Sequence, residues 1–360
     1  MSRGGPHAGR VARLRAANRR RGPAAFLATH LPNVRWLCGF TGSAGALLVL
    51  PREAVFYTDF RYRVQSAREV RGAARVEYVG GAIEAIAARV RRARVRSLGF
   101  EADRMTVATH ADLTAALPGV ELVPLRGAVE ALRAVKDRGE VTAVRRALGV
   151  AGRALTSTVR RLLGLTELEV AERLRTAIRR EGGEQESFPT IVAAGPRAAQ
   201  PHAVPTDALI GGGSLVVIDF GVRLSGYCSD TTRTYSPGKW DRRSREIYRV
   251  VLEAQRAAIA KIGPGARGSD VDAAARGVIE RAGYGKCFGH GTGHGVGLEV
   301  HEQPVLSPKS GDILAPGMIV TVEPGIYMEK FGGVRIEDML LVTQTGAEVL
   351  SRAVPKLLEH

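Results

Sequence analysis

Cysteine is scarce in this chain. Three in 360 residues, Cys38, Cys228 and Cys287, stand far apart with no CxxC spacing. That argues against a disulfide framework or a zinc knuckle and fits a reducing compartment, with each cysteine read as a small buried residue. Long apolar runs are also missing: none approaches the about 20 residues of a membrane-crossing helix. The arginine-rich opening, "MSRGGPHAGRVARLRAANRRRG", contains no acid and no apolar centre, so it is not a secretory signal. A transit peptide shares that composition, but Val11 and Leu14 fit a short amphipathic helix leading into "PAAFLATHL", and the segment is read as part of the fold. A cytoplasmic location is the default expectation. Aromatics make up only 5% of the residues, which leaves few stacking platforms for single-stranded nucleic acid. Lysine is rare too, at seven of 52 basic residues. The net charge of +16 therefore comes from arginines spread along helix faces such as "RRALGVAGRALTSTVRRLL". Solvated helix faces account for that charge, and no specific nucleic-acid partner and no membrane are expected. The closing "LEH" reads as the start of a purification tag and is left out of fold reasoning.

What remains is a hydrophobic content of 45% with 24% charged residues, enough for two domains. From 24 to 125, apolar runs alternate with helical patterns. "AAFLATHL", "GALLVLP", "EAVFYTDF", "VRSLGFEA" and "VELVPL" read as strands, while "RYRVQSAREV", "AIEAIAARVRRA" and "ATHADLTAAL" read as helices. The alternation predicts an α/β domain with a mixed sheet over residues 1–133. A linker around "AVKDRGE" opens a second domain, 134–360, with a different rhythm. Helices are expected at 138–163, at 167–181 with Thr166 and Glu169 forming a capping box, at 241–262, and after Ser269. Between them lie two strand pairs, "SLVVIDFG" with "GYCSDTTRTY" and "MIVTVEPGIY" with "GVRIEDMLLV".

Each pair sets a carboxylate and a glycine after an apolar run, then a second carboxylate on the returning strand. Asp219 and Asp230 belong to the first, Glu323 and Glu337 to the second. The pairs look like diverged copies of one hairpin and predict a pseudo-twofold core with four acids facing one another. An unpaired buried carboxylate is costly and takes up a proton instead. Two divalent cations would balance four such acids. Oxygen-rich ligation with one imidazole suits manganese, cobalt or zinc. The segment "FGHGTGHGVGLEVHEQP" is too glycine-rich for a helix, since each interior glycine costs roughly 1 kcal/mol, and must be strand and turn. Within it His294, between Gly293 and Gly295, is the natural nitrogen ligand. Paired metals suit hydrolysis, in which they activate water and polarise a carbonyl. His202, in "AQPHAVPTD", and His301 fit outer roles as donors or proton shuttles. Strand alternation in "GVRIED" puts Arg335 on the face of Glu337.

Asp219, Asp230, His294, Glu323 and Glu337, in this order and on these strands, resemble the "pita-bread" metallopeptidases of family M24. The likeness extends over nearly the whole chain. It implies an α/β (α+β) architecture: a creatinase-type N-terminal α/β domain followed by a pita-bread catalytic domain with pseudo-twofold strand pairs flanked by helices. It further implies two divalent ions, first of all Mn²⁺, with Asp219, His294 and Glu323 each favouring one metal and Asp230 and Glu337 bridging both. "LPNVRWLCGFTGSAGALLVL" followed by "YTDFRYRVQSA" is similar to the N-terminal domain of the proline-directed members, which methionine aminopeptidases lack. Creatinases share the fold without the ligands, which are complete here. In the proline-specific branch His202, His290 and His301 match positions that contact substrate or transition state, and Arg335 matches the nearby arginine. The implied activity is hydrolysis of the bond before proline in proline-containing peptides, as an Xaa-Pro aminopeptidase. The alternative is an Xaa-Pro dipeptidase (prolidase), and a homodimer is expected. A more distant alternative is an inactive M24 fold that binds nucleic acid or protein. One departure is visible: the family usually reads "FDTIVASG" where this chain has "FPTIVAAG", with Pro189 in place of the acid.

Overall fold

The computed structural model of the chain describes residues 5–356; residues 1–4 and the terminal "LEH" lie outside the described residues. The chain divides into two compact units, Met1–Arg133 and Ala134–His360. In the first, the arginine-rich opening forms the helix Pro6–Arg21, which buries Val11 and Leu14 as their spacing predicts. A six-stranded sheet follows, in the order Ala74–Glu77, Ala54–Thr58, Ala46–Val49, Ala25–Ala28, Ser97–Glu101, Glu121–Leu125. Ala46–Val49 runs antiparallel to both of its neighbours, Ala25–Ala28 and Ala54–Thr58, and the other three pairings are parallel. All five strands predicted from apolar runs are present. The sixth, Ala74–Glu77, is exposed throughout and carries no apolar signal to read. Among the described residues no helix is long and apolar enough to cross a membrane.

In the second unit, helix Arg138–Thr158 starts from a capping box between Asp137 and Glu140. It stops five residues short of the predicted end. The chain turns instead at Gly164, at φ 77°, which brings Leu162 and Leu165 into the core. Helix Glu167–Arg180 opens on the predicted Thr166–Glu169 box. Both helices pack against an antiparallel sheet of Thr231–Tyr235, Val216–Phe220 and Ile191–Ala194, through Val170, Leu174, Ile178, Val192, Val216 and Ile218. Helices Arg242–Lys261 and Gly268–Arg281 cover the other half in the same way. Their apolar faces meet Val320, Val322 and Leu340 of a five-stranded sheet ordered Glu302–Leu306, Gly293–Gly295, Ile319–Val322, Asp338–Val342, Ala347–Val349. The duplication read from the hairpins is thus a duplication of helix pair and sheet. Each fully buried aliphatic contributes about 1.5–3 kcal/mol, so this backing holds the strands far more firmly than the exposed ion pairs do.

One strand differs from expectation. "MIVTVEPGIY" is not continuous: Ile319–Val322 ends before Glu323, and Gly325–Met328 begins a separate hairpin with Gly332–Arg335. Pro324 has no N–H to donate to a ladder. Glu323 therefore stands just beyond its strand, whereas Asp219 lies within one.

Candidate metal centre

Strand register brings the acids together. Asp219 is opposite Thr232, so Asp230 stands two residues before its partner on the returning strand. In the second half Val322 is opposite Asp338, which sets Glu323 and Glu337 across from each other one step beyond that pair. Asp230 and Glu337 are buried, at 4% and 1% exposure. Asp230, His294 and Glu337 each offer a ligand atom within 4.8 Å of the others. His294 Nε2 is 3.6 Å from Asp230 Oδ2 and 3.3 Å from Glu323 Oε1.

His294 reaches that point because its neighbours are glycine. A Cβ at Gly293 would lie 2.0 Å from the Thr321 carbonyl oxygen, and one at Gly295 would lie 2.1 Å from that of Gln303. The short strand Gly293–Gly295 is thereby sandwiched between Glu302–Leu306 and Ile319–Val322. Thr321 Oγ1 accepts from the His294 backbone N–H at 3.1 Å and donates to Glu323 Oε1 at 3.4 Å. His294 Nδ1 lies 3.1 Å from the Gly295 carbonyl, which can only accept. Nδ1 therefore carries a proton donated to that carbonyl, and Nε2 is the nitrogen turned toward the acids.

The outer histidines surround this group. The His301 ring is 4.3 Å from that of His294. His290 Nδ1 donates to the Gly291 carbonyl at 2.8 Å, so its Nε2 accepts from the Tyr327 hydroxyl at 2.9 Å. Arg335 is buried and donates to four oxygens: Asp219 Oδ2 at 2.6 Å, Thr232 Oγ1 at 3.0 Å, the Tyr327 hydroxyl at 2.8 Å and the Pro201 carbonyl at 3.2 Å. Thr232 Oγ1 in turn donates to Glu337 Oε2 at 2.8 Å. Arg335 and Glu337 thus share one face through Thr232, and Arg335 holds the backbone next to exposed His202. Pro189 is exposed ahead of strand Ile191–Ala194.

Tyr327, Thr232 and Thr321 were not picked out from the sequence. The register partner of Asp219 and the residue two before Glu323 are positions where alternation could have found the threonines. Tyr327 lies beyond the Pro324 break, which no periodicity crosses.

The electrostatics show what the group requires. Burial, then Glu337, Asp219 and Glu323, hold the Asp230 carboxyl well above its ordinary value. Glu337 is pushed well up by burial and then by Glu323 and Asp219. Asp219 is raised by burial, against the pull of Arg335. Burial also opposes ionisation of Glu323, but the hydrogen bond and charge of His294 outweigh it and lower its pKa. The reciprocal contact with Glu323 raises His294, again against burial. His290 is lowered chiefly by burial, and His301 by burial and then by His294; His202 adds to both. Burial pushes Tyr327 up to about 12.

These residues fit paired divalent cations. Asp219 Oδ1 is buried without a hydrogen-bond partner. Crowded carboxylates that resist ionisation, together with an imidazole whose other nitrogen is tied to a carbonyl, form the donor set an oxygen-preferring divalent ion takes.

Comparisons with known proteins identify the family of the chain. Residues 142–344 match Metallopeptidase family M24, and residues 10–135 match the Creatinase/Prolidase N-terminal domain. An uncharacterised peptidase of Bacillus subtilis is 42% identical over 334 residues, 92% of this chain and 95% of that protein. The solved Xaa-Pro dipeptidase from Bacillus anthracis superposes with a TM-score of 0.95 at 40% identity, covering 98% of this chain and 99% of that one. The X-Pro aminopeptidase from Thermotoga maritima superposes at 0.88 with 34% identity, covering 95% and 99%. With two domain matches in order and near full-length likeness to these peptidases, the chain belongs to metallopeptidase family M24, with a creatinase-type N-terminal domain ahead of a pita-bread catalytic domain.

Proposed function

We propose that this metallopeptidase hydrolyses the bond before proline in Xaa-Pro dipeptides, using two divalent ions held by Asp219, Asp230, His294, Glu323 and Glu337. The observation that carries the reading is the convergence of Asp230, His294 and Glu337 within 4.8 Å, flanked by Asp219 and Glu323. Four carboxylates balance two divalent charges, and manganese is the proposed ion, with cobalt and zinc as the substitutes this donor set accepts. Such ions, when bound, polarise the scissile carbonyl and make water acidic enough to attack at neutral pH.

The chain's own side chains do the rest. Asp230 and Glu337, one acid from each half of the duplicated core, would hold both ions, with Asp219, His294 and Glu323 completing the donor set. His294 presents Nε2 because Gly295 holds its Nδ1 proton. His290, neutral at physiological pH and fixed by Tyr327, faces the substrate. His202 and His301 stabilise developing charge or carry a proton. Arg335 holds Asp219 and the Pro201 backbone in place and offers a guanidinium beside the substrate.

The sequence favours the aminopeptidase. The Bacillus anthracis dipeptidase exceeds the Thermotoga maritima aminopeptidase in both identity and fold overlap, which supports the dipeptidase instead. The test is incubation of the Mn²⁺-loaded protein with an Xaa-Pro dipeptide, an Xaa-Pro-Yaa tripeptide and a dipeptide without proline, measuring free amino acid. Cleavage of the first alone is expected. Preferential cleavage of the tripeptide would return the assignment to the aminopeptidase, and cleavage of the proline-free dipeptide would overturn both.

A further inference from the structure

We infer that Asp272 and Arg276 are positioning residues that fix His290 for substrate. The proposal rests on the reading of His290 as substrate-facing. Both residues lie one turn apart on helix Gly268–Arg281, outside the centre described above. Arg276 forms a fork on Asp272, with Nε on Oδ2 at 2.8 Å and one terminal nitrogen on Oδ1 at 2.9 Å. The same guanidinium donates to the Phe288 carbonyl at 3.0 Å and to the His290 carbonyl at 2.8 Å. Its plane lies over the Phe288 ring, 4.3 Å from the centroid, and that ring meets His290 edge to face at 5.0 Å. Asp272 Oδ1 accepts from the backbone N–H of Thr292 at 3.1 Å and from its hydroxyl at 2.9 Å.

The backbone around His290 is therefore pinned to one helix turn, by the Phe288 carbonyl before it, its own carbonyl and the Thr292 N–H after it. Residues 288–292 form no strand or helix, and the loop contains Gly289 and Gly291, whose backbone entropy must be overcome. Asp272 is buried at 1% exposure, and an acid so placed is retained where its ion pair and hydrogen bonds are all made. The planar fork of arginine satisfies the carboxylate and two carbonyls together, which a lysine cannot reproduce. With the backbone held, the ring has one orientation, Nδ1 on Gly291 and Nε2 on Tyr327.

A double-mutant cycle tests this. Arg276→Lys, His290→Ala and the double variant are compared on an Xaa-Pro dipeptide in the Mn²⁺-loaded protein, with kcat, KM, metal content and thermal unfolding recorded. Arg276→Lys should lower kcat/KM by about 10–100-fold with metal content unchanged. In the His290→Ala background the same substitution should have less than about a twofold effect, because coupled residues are not additive. Asp272→Asn, which keeps the side-chain shape, should repeat this pattern and covers the case in which the arginine variant is poorly folded. Multiplicative losses in the double variant, loss of metal with activity, or an unchanged kcat/KM in both single clamp variants would overturn the assignment. If His290→Ala itself turned over at the parent rate, the substrate-facing reading of His290 would fail first and the clamp with it. That result differs from all the others.

Discussion

Asp230 and Glu337 are the most buried of the proposed ligand acids, and burial with neighbouring acids holds both carboxyls well up, so they should also be the least replaceable. Asp230→Ala or Glu337→Ala should abolish detectable turnover and reduce bound metal. Substantial activity in either variant with both ions retained would sink the dinuclear assignment. The histidines divide differently. His294 presents Nε2 to the acids, so His294→Ala should lose metal and activity together. His202 and His301 stand outside, and replacing either by alanine should lower kcat roughly 10²–10⁴-fold at unchanged metal content. Metal analysis alongside kinetics on the three variants reads this directly. If His301→Ala lost an ion and His294→Ala kept both, ligand and catalyst would be reversed.

At the scale of elements, the glycines beside His294 make a sharper case than their flexibility would suggest. The Thr321 carbonyl would meet a Cβ on Gly293 at 2.0 Å. Gly293→Ala should therefore push strand Gly293–Gly295 off Ile319–Val322, lowering metal occupancy as well as stability. A variant with normal metal content would show that the strands slide freely past each other. The elements carrying the acids were legible because a carboxylate after "LVVI" or after "IVTV" has no ordinary reason to be there, and because the capping box at Thr166 announces a helix start. Elements governed by tertiary contacts were not. Helix Arg138–Thr158 ends early because Leu162 and Leu165 are needed in the core. Strand Ala74–Glu77 pairs at an exposed edge, where no apolar residue is demanded. Tyr327 owes its place to a hairpin that starts after Pro324, so periodicity carried over from the preceding strand could not reach it. The Arg335–Thr232–Glu337 chain, by contrast, follows from alternation even though the strand breaks between Arg335 and Asp338.

For the molecule as a whole, the centre makes stability depend on pH and metal together. In the metal-free chain Asp219, Asp230 and Glu337 have carboxyl groups raised by burial and by one another, and His294 is raised against burial by Glu323. A group whose pKa rises on folding adds stability that is present below its unfolded value and is lost as pH rises through its folded one. Metal ions need the deprotonated forms and displace those protons. The gap in Tm between metal-loaded and chelated protein should therefore widen from about pH 5 to pH 8. A constant or narrowing gap would contradict the site electrostatics. The most direct measurement follows Xaa-Pro dipeptide hydrolysis while the chelator-stripped protein is titrated with Mn²⁺. Activity should be absent without metal and level off at two equivalents of bound ion per chain. Turnover in excess chelator, or saturable metal binding with no hydrolysis of any Xaa-Pro substrate, would contradict the account.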